Sequence, residues 1–177
     1  MAEKVVLIRK QNTPFGVNYP YGENGRIQSY NWLGTIGDKL NKVPVPMEVF
    51  EWLKNNTRTF EDGCLIIDKE NIDEDVQYSL ENIENIEKVE QGVLTKSEIE
   101  TLLSDTKTQS LKKKLDELVK DCDERLTLTI KRSISNVAQE VGIDSGAKRK
   151  VVAEWLGVPY ENSDVLFDKS LKEMYDK

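Results

Sequence analysis

The chain has 177 residues, 25 basic and 32 acidic side chains, two cysteines and no histidine. That length suits one domain or two small ones, and it is enough to bury a core without staples of disulfide or metal. With no histidine there can be no histidine-based nucleophile triad, imidazole acid–base catalysis or histidine metal site, while 38 % hydrophobic and 32 % charged residues point to a soluble chain with at least one weakly packed, solvated stretch.

In chain order, Val5–Ile8 within residues 4–10 is an apolar, β-branched run short enough for a buried strand. Pro14, Gly16, Pro20, Gly22, Gly25 and Gly34 punctuate residues 12–37, which read as loop, and Asn24-Gly25 suits a tight type I′ hairpin turn. Arg26–Leu33 reads as a strand with Ile27, Tyr30 and Trp32 as packing candidates. A helix is expected over 46–55, where Pro46 is tolerated in the first turn, Glu48 favours the positive end of the dipole and Val49, Phe50 and Leu53 share a face beside Trp52. Asn55-Asn56 should stop it, Glu61-Asp62-Gly63 should turn, and Cys64–Ile67 is a second short strand. Residues 1–67 are therefore expected to form a small, β-rich module with one helix.

Within this module Phe15, Tyr19, Tyr21, Tyr30 and Trp32 crowd a Pro- and Gly-threaded stretch. Their plainer reading is closure of a core short of aliphatic residues, with one or two tyrosines left exposed. The alternative is a partner-binding surface, because aromatic side chains offer large contact area at low entropic cost.

The charge is localised. Residues 68–90 hold nine acids against Lys69 and Lys88, a net −7, while 1–67 and 91–177 nearly balance. Residues 68–92 therefore read as an acidic linker between two modules. The spacing of Ile72, Val76, Leu80, Ile83, Ile86 and Val89 is close to helical, so part of it is expected to be a transient, self-repelling helix.

Residues 93–177 read as a helical bundle. Thr95 and Glu98 form a capping box before Ile99, Leu102 and Leu103, in a helix ending near Ser104. Leu111, Leu115, Leu118, Val119 and Cys122 mark a helix of about four turns. Leu126, Ile130, Ile134, Val137 and Val141 mark another, with Gly142 as its left-handed cap. Asp144-Ser145 should cap a helix reaching Leu156, with Gly157 as its C-terminal cap and Pro159 beyond. Asn162-Ser163 should start a last segment carrying Val165, Leu166, Phe167, Leu171 and Met174. The expected fold class is α+β: the small β-rich module with one helix, an acidic connector and a C-terminal helical bundle.

Few constellations carry chemistry. Residues 134–156 resemble a helix-turn-helix, with Lys148, Arg149 and Lys150 as candidate phosphate contacts. However, Lys148 stands where that pattern has an apolar core residue, and the module as a whole is −1, so a capped helix pair with one basic face is the plainer reading. Lys112–Lys114 suit a solvated face. Asp116, Glu117, Asp121, Asp123 and Glu124 lack the glycine and terminal glutamate of a calcium loop. No hydrolase, dinucleotide or metal motif occurs, so no catalytic, cofactor-binding or metal-ligating residue is assigned, no cofactor is expected, and the chain is read as a non-enzyme. Cys64 and Cys122 read as buried free thiols. No apolar run suits a signal peptide or a membrane span, which points to the cytoplasm and to no membrane partner.

Pro-Met-Glu-Val-Phe-Glu-Trp-Leu at 46–53, Thr-Phe-Glu-Asp-Gly-Cys-Leu-Ile-Ile at 59–67, and Asp-Ser-Gly-Ala-Lys-Arg-Lys-Val-Val-Ala-Glu-Trp-Leu-Gly-Val at 144–158 are joined by the acidic connector. In that order they resemble small accessory proteins of tailed bacteriophages of Gram-positive hosts. The resemblance implies a virion or assembly protein, made in the host cytoplasm and carried into the virion, that touches other virion proteins; it carries over no site residue. The alternative is an early phage regulator or inhibitor, binding a basic host protein through the acidic segment or DNA through 134–156.

Overall fold

In a computed structural model the structure describes residues 4–22, 24–72, 74–159, 161 and 163–168. The chain is α+β. Among the described residues five strands run β1 (Lys4–Arg9), β2 (Phe15–Tyr21), β3 (Arg26–Trp32), β4 (Asn41–Pro46) and β5 (Ile66–Ile67), with α1 (Met47–Asn56) between β4 and β5. After a 3-10 turn at Lys69–Asn71 come α2 (Glu74–Glu81), α3 (Ile86–Gly92), α4 (Lys96–Asp105), α5 (Thr108–Leu118), α6 (Glu124–Val141), α7 (Gly146–Leu156) and α8 (Ser163–Phe167).

Strands β4, β1 and β5 form an antiparallel sheet in that order, with Leu7 opposite Val43 and Ile67, and Ile8 opposite Lys42 and Ile66. Alternate side chains of a strand point to opposite faces, and here both faces are dry. Val5, Leu7 and Ile67 join Val49, Phe50, Leu53 and Trp32 in one core; Ile8 and Ile66 join Val89, Ile99, Leu111, Leu126 and Ile130 in the other. That is why the unbroken run Val5–Ile8 does not alternate with polar residues. The sheet is thus a wall between the α1 side and the helical bundle.

Two strands escape the sequence reading. β2 lies in the stretch read as loop, and β4 precedes the helix that was expected to begin at Pro46. Proline lacks an N–H and is confined to sheet edges and strand ends; β4, with Pro44 and Pro46, is an edge strand, and β2, with Pro20, belongs to a two-stranded sheet that has only edges. Pro46 ends β4 and caps α1 rather than opening its first turn. Register pairs Tyr21 with Arg26, so four residues close the hairpin instead of the two of a type I′ turn.

Most of the helical expectations hold. Thr95 Oγ1 accepts from the Glu98 N–H at 3.2 Å, and Glu98 Oε2 accepts from the Thr95 N–H at 2.7 Å, completing the capping box. Ser145 caps α7, and Gly157 ends it in the left-handed conformation. α5 stops at Leu118, so Val119 and Cys122 lie in the following turn. Gly142 has φ 74° with ψ 168°, an extended glycine conformation instead of the left-handed helical cap. Leu171 and Met174 lie outside the described residues. Both cysteines are free, but half-buried rather than buried.

The acidic segment carries α2 and α3, and its apolar stripe is divided between the cores: Val76, Leu80 and Ile83 in the first, Val89 in the second. Burial supplies what the local charge opposes. Lys42 pairs with Asp68 at 2.6 Å and Lys69 with Glu90 at 2.7 Å, which offsets part of the repulsion.

Candidate docking surface

The β2–β3 hairpin is rooted at several points. Trp32, fully buried, donates its indole N–H to the Leu7 carbonyl at 3.1 Å. Its ring meets Phe15 at 6.2 Å. Arg9, also buried, donates to the Thr13 carbonyl (2.9 Å), the Thr13 hydroxyl (2.9 Å) and the Cys64 carbonyl (2.6 Å), and its guanidinium lies over the Phe15 ring. Burial lowers the Arg9 pKa from its ordinary value. Thr35 donates its hydroxyl to the Lys10 carbonyl at 2.7 Å and its N–H to Gln11 at 2.9 Å. At Gly34 a Cβ would fall 2.2 Å from the Asn12 carbonyl oxygen, so only glycine allows the chain to pass here.

Among the described residues the tip has no such ties. On the inner face Phe15 pairs with Trp32, Val17 with Tyr30, Tyr19 with Gln28 and Tyr21 with Arg26. Phe15, Val17, Tyr19 and Tyr30 are half-buried against the first core, and Tyr19 meets Trp52 of α1 edge-on at 5.6 Å. Tyr21 reaches the end of the hairpin at 41 % exposure. On the outer face Ile27 stands opposite Pro20 and is 63 % exposed. Ile27 was expected to pack with Tyr30 and Trp32. It cannot, because odd and even positions of one strand face opposite ways. Leu33 and Ile36, at the root, are exposed as well.

Of the five aromatic candidates, then, four lie along the inner face between the hairpin and the first core, and Tyr21 presents its ring at the tip. The apolar surface gains Ile27, Leu33 and Ile36, which the aromatic pattern did not single out. The parity of Ile27 against Trp32 was the available signal.

The helix-turn-helix-like element is built differently from a DNA reader. Lys148 donates from Nζ to the carbonyls of Leu103 and Ser104 at the C-terminal end of α4. Arg149 donates to the Ile143 and Asp144 carbonyls and pairs with Asp164 at 2.9 Å and Asp168 at 3.2 Å. Lys150 is exposed. The hydrogen bonds of Lys148 and Arg149 hold α4, α7 and α8 together, so these two side chains are turned inward to carbonyls and carboxylates of the fold.

The fold and surface define a rigidly rooted α+β protein that holds out an apolar hairpin, with two cores on either side of one sheet. Residues 3–85, which are 83 of the 177, match the family described as the YonA N-terminal domain. The matched stretch takes in both sheets, α1 and α2, and it points to a phage-related family. Searches of curated proteins and of solved structures find no match. No helix among the described residues is long and apolar enough to cross a membrane.

Proposed function

We propose that the protein is a non-enzymatic structural or assembly component of a bacteriophage particle, acting by protein–protein contact through the β2–β3 hairpin. One observation carries this reading: the hairpin is fixed at its root by Trp32, Arg9 and Thr35, yet leaves Tyr21 and Ile27 exposed at its tip. Exposed apolar side chains on a pre-ordered support lose little entropy when a partner covers them. The match over 3–85 supports the phage setting and contains the whole hairpin.

Mass spectrometry of purified particles from the wild type and from an Ile27→Asp variant tests it. The protein should be present in wild-type particles and depleted in the variant, at equal cellular levels. Absence from wild-type particles, with assembly unaffected by deletion of the gene, would sink the reading in favour of an early regulator.

A further inference from the structure

The acidic segment is pinned at both ends. At one end the Asp68 N–H bonds the Val6 carbonyl at 2.9 Å, and the Asp68 carboxylate holds Lys42. At the other, Gly92 packs so closely that a Cβ would lie 2.6 Å from Ile130 Cδ1 and 2.7 Å from the Leu118 carbonyl oxygen, and Lys88 donates to the Asp121 carbonyl. Lys69 and Glu90 meet at 2.7 Å, so the two ends are also joined to each other. The chain leaves this closed base and returns to it 21 residues later.

Between the ends, α2 lies on the first core through Val76 and Leu80, followed by Ile83 just past its last turn, and Ser79 donates its hydroxyl to Glu51 of α1 at 2.7 Å. Behind it is space: an open groove of about 790 Å³, lined by Gln77 and Leu80 on one side and Ile86 and Glu87 on the other, lies between α2 and α3. The backbone turns at both flanks. Ile72 is extended, with φ −94° and ψ 142°, and Asn85 is left-handed at φ 62°, a conformation asparagine tolerates better than most residues. Residues 70–87 hold seven acids and no base. Like charges a helical turn apart oppose a helix, so the stretch that apolar packing holds down is one that its own charge lifts.

We infer that residues 74–84 form a strap that lifts from the first core as one unit, turning at Ile72 and Asn85 while its base stays closed, and that ionic strength sets how often it is open. Lifting turns Val76, Leu80 and Ile83 to solvent and uncovers the part of the first core beneath them. The sheet, α3 and the bundle keep their places, because the ties at Asp68, Lys69 and Gly92 lie outside the moving piece. Repulsion among the acids reaches about 30 Å at about 0.01 M salt and about 3 Å at about 1 M, so added salt closes the strap. The device is independent of what the β2–β3 hairpin binds.

Hydrogen exchange of the full chain, read by mass spectrometry at neutral pH and corrected for the unfolded chain at the same salt, tests it. At about 0.01 M salt the amides of 76–83 should exchange about a hundredfold faster than those of β1 and α6, through local opening. At about 1 M they should slow about tenfold relative to α6, while the α3 amides keep pace with α6. Glu84→Gln with Glu87→Gln changes two exposed positions. This variant should exchange slowly already at low salt and lose most of the salt response. Ser79→Ala, which removes the tie to Glu51, should quicken 76–83 about fivefold and leave α6 unmoved. Exchange of 76–83 that keeps pace with α3 and α6, or a salt response that the double variant leaves intact, overturns the inference. So does a Ser79→Ala chain in which β1 and α6 quicken as much as 76–83.

Discussion

The ammonium of Lys148 lies 2.8 Å from the carbonyl oxygen of Leu103, at the C-terminal end of α4, where the last carbonyls of a helix lack intrahelical partners. A cation there also meets the negative end of the helix dipole. Lys148 thus occupies the core-facing position of a helix pair by capping a neighbouring helix. Lys148→Met should lower stability by about 1–2 kcal/mol in urea denaturation. Binding to duplex DNA, measured by gel shift, should be as weak for the variant as for the wild type.

Gly63 has φ +68° and sits where the two cores approach. A Cβ there would lie 2.7 Å from Val93 Cγ2 and 3.1 Å from Leu126 Cδ1. Gly63→Ala combines a left-handed backbone with overpacking, and should cost about 2–4 kcal/mol by denaturant titration. The unfolding transition should shift for both halves together.

Asp123 caps α6 by accepting the Leu126 N–H at 2.8 Å and pairs with Arg58 at 2.8 Å. Asp68 accepts from Lys42 at 2.6 Å. The Leu126 N–H in the first case and the Lys42 ammonium in the second hold these carboxyls below the ordinary carboxylate pKa. A carboxyl with a lowered folded-state pKa contributes stability above its unfolded pKa and loses it as pH falls through the folded one. Stability should therefore begin to fall below about pH 4. Asp123→Asn, which keeps a capping oxygen without the charge, should be less stable than wild type at neutral pH, with the gap closing in acid. Urea midpoints taken from neutral pH downward measure both effects.

Trp32 is fully buried and its N–H is tied to Leu7. Trp32→Phe removes volume and leaves the Leu7 carbonyl short of a donor, which should cost about 1–3 kcal/mol. Because the lesion is at the hairpin root, hydrogen exchange of β2 and β3 amides should quicken more than that of α6.

Much of this fold was legible where local chemistry and burial agree. The Thr95–Glu98 capping box, the Leu126–Val137 stripe and Gly157 each state an element end or face that packing then preserves. The acidic connector was read from its charge and from an apolar spacing close to helical; neither says that Val76 and Val89 find their partners in separate cores. β2 and β4 were hidden by prolines and glycines that edge strands accommodate. The candidate docking surface was half legible: the aromatic cluster marked the hairpin, but the ring count pointed inward to Trp32, and the exposed Ile27 follows only from strand parity once β3 is paired.

The sheet that walls the two cores has a consequence for synthesis. β1 precedes every segment that covers it: β4 and β5 pair with its edges, and the helices from α3 to α6 bury Ile8. On a growing chain β1 can pair once residues 41–67 have emerged, but the face of the sheet that carries Ile8 and Ile66 stays uncovered until the bundle follows. An exposed apolar sheet face of this kind favours association with other chains. Nascent chains stalled before α6 should therefore be the aggregation-prone species, and chaperone demand should fall sharply once residues 124–141 have left the ribosome.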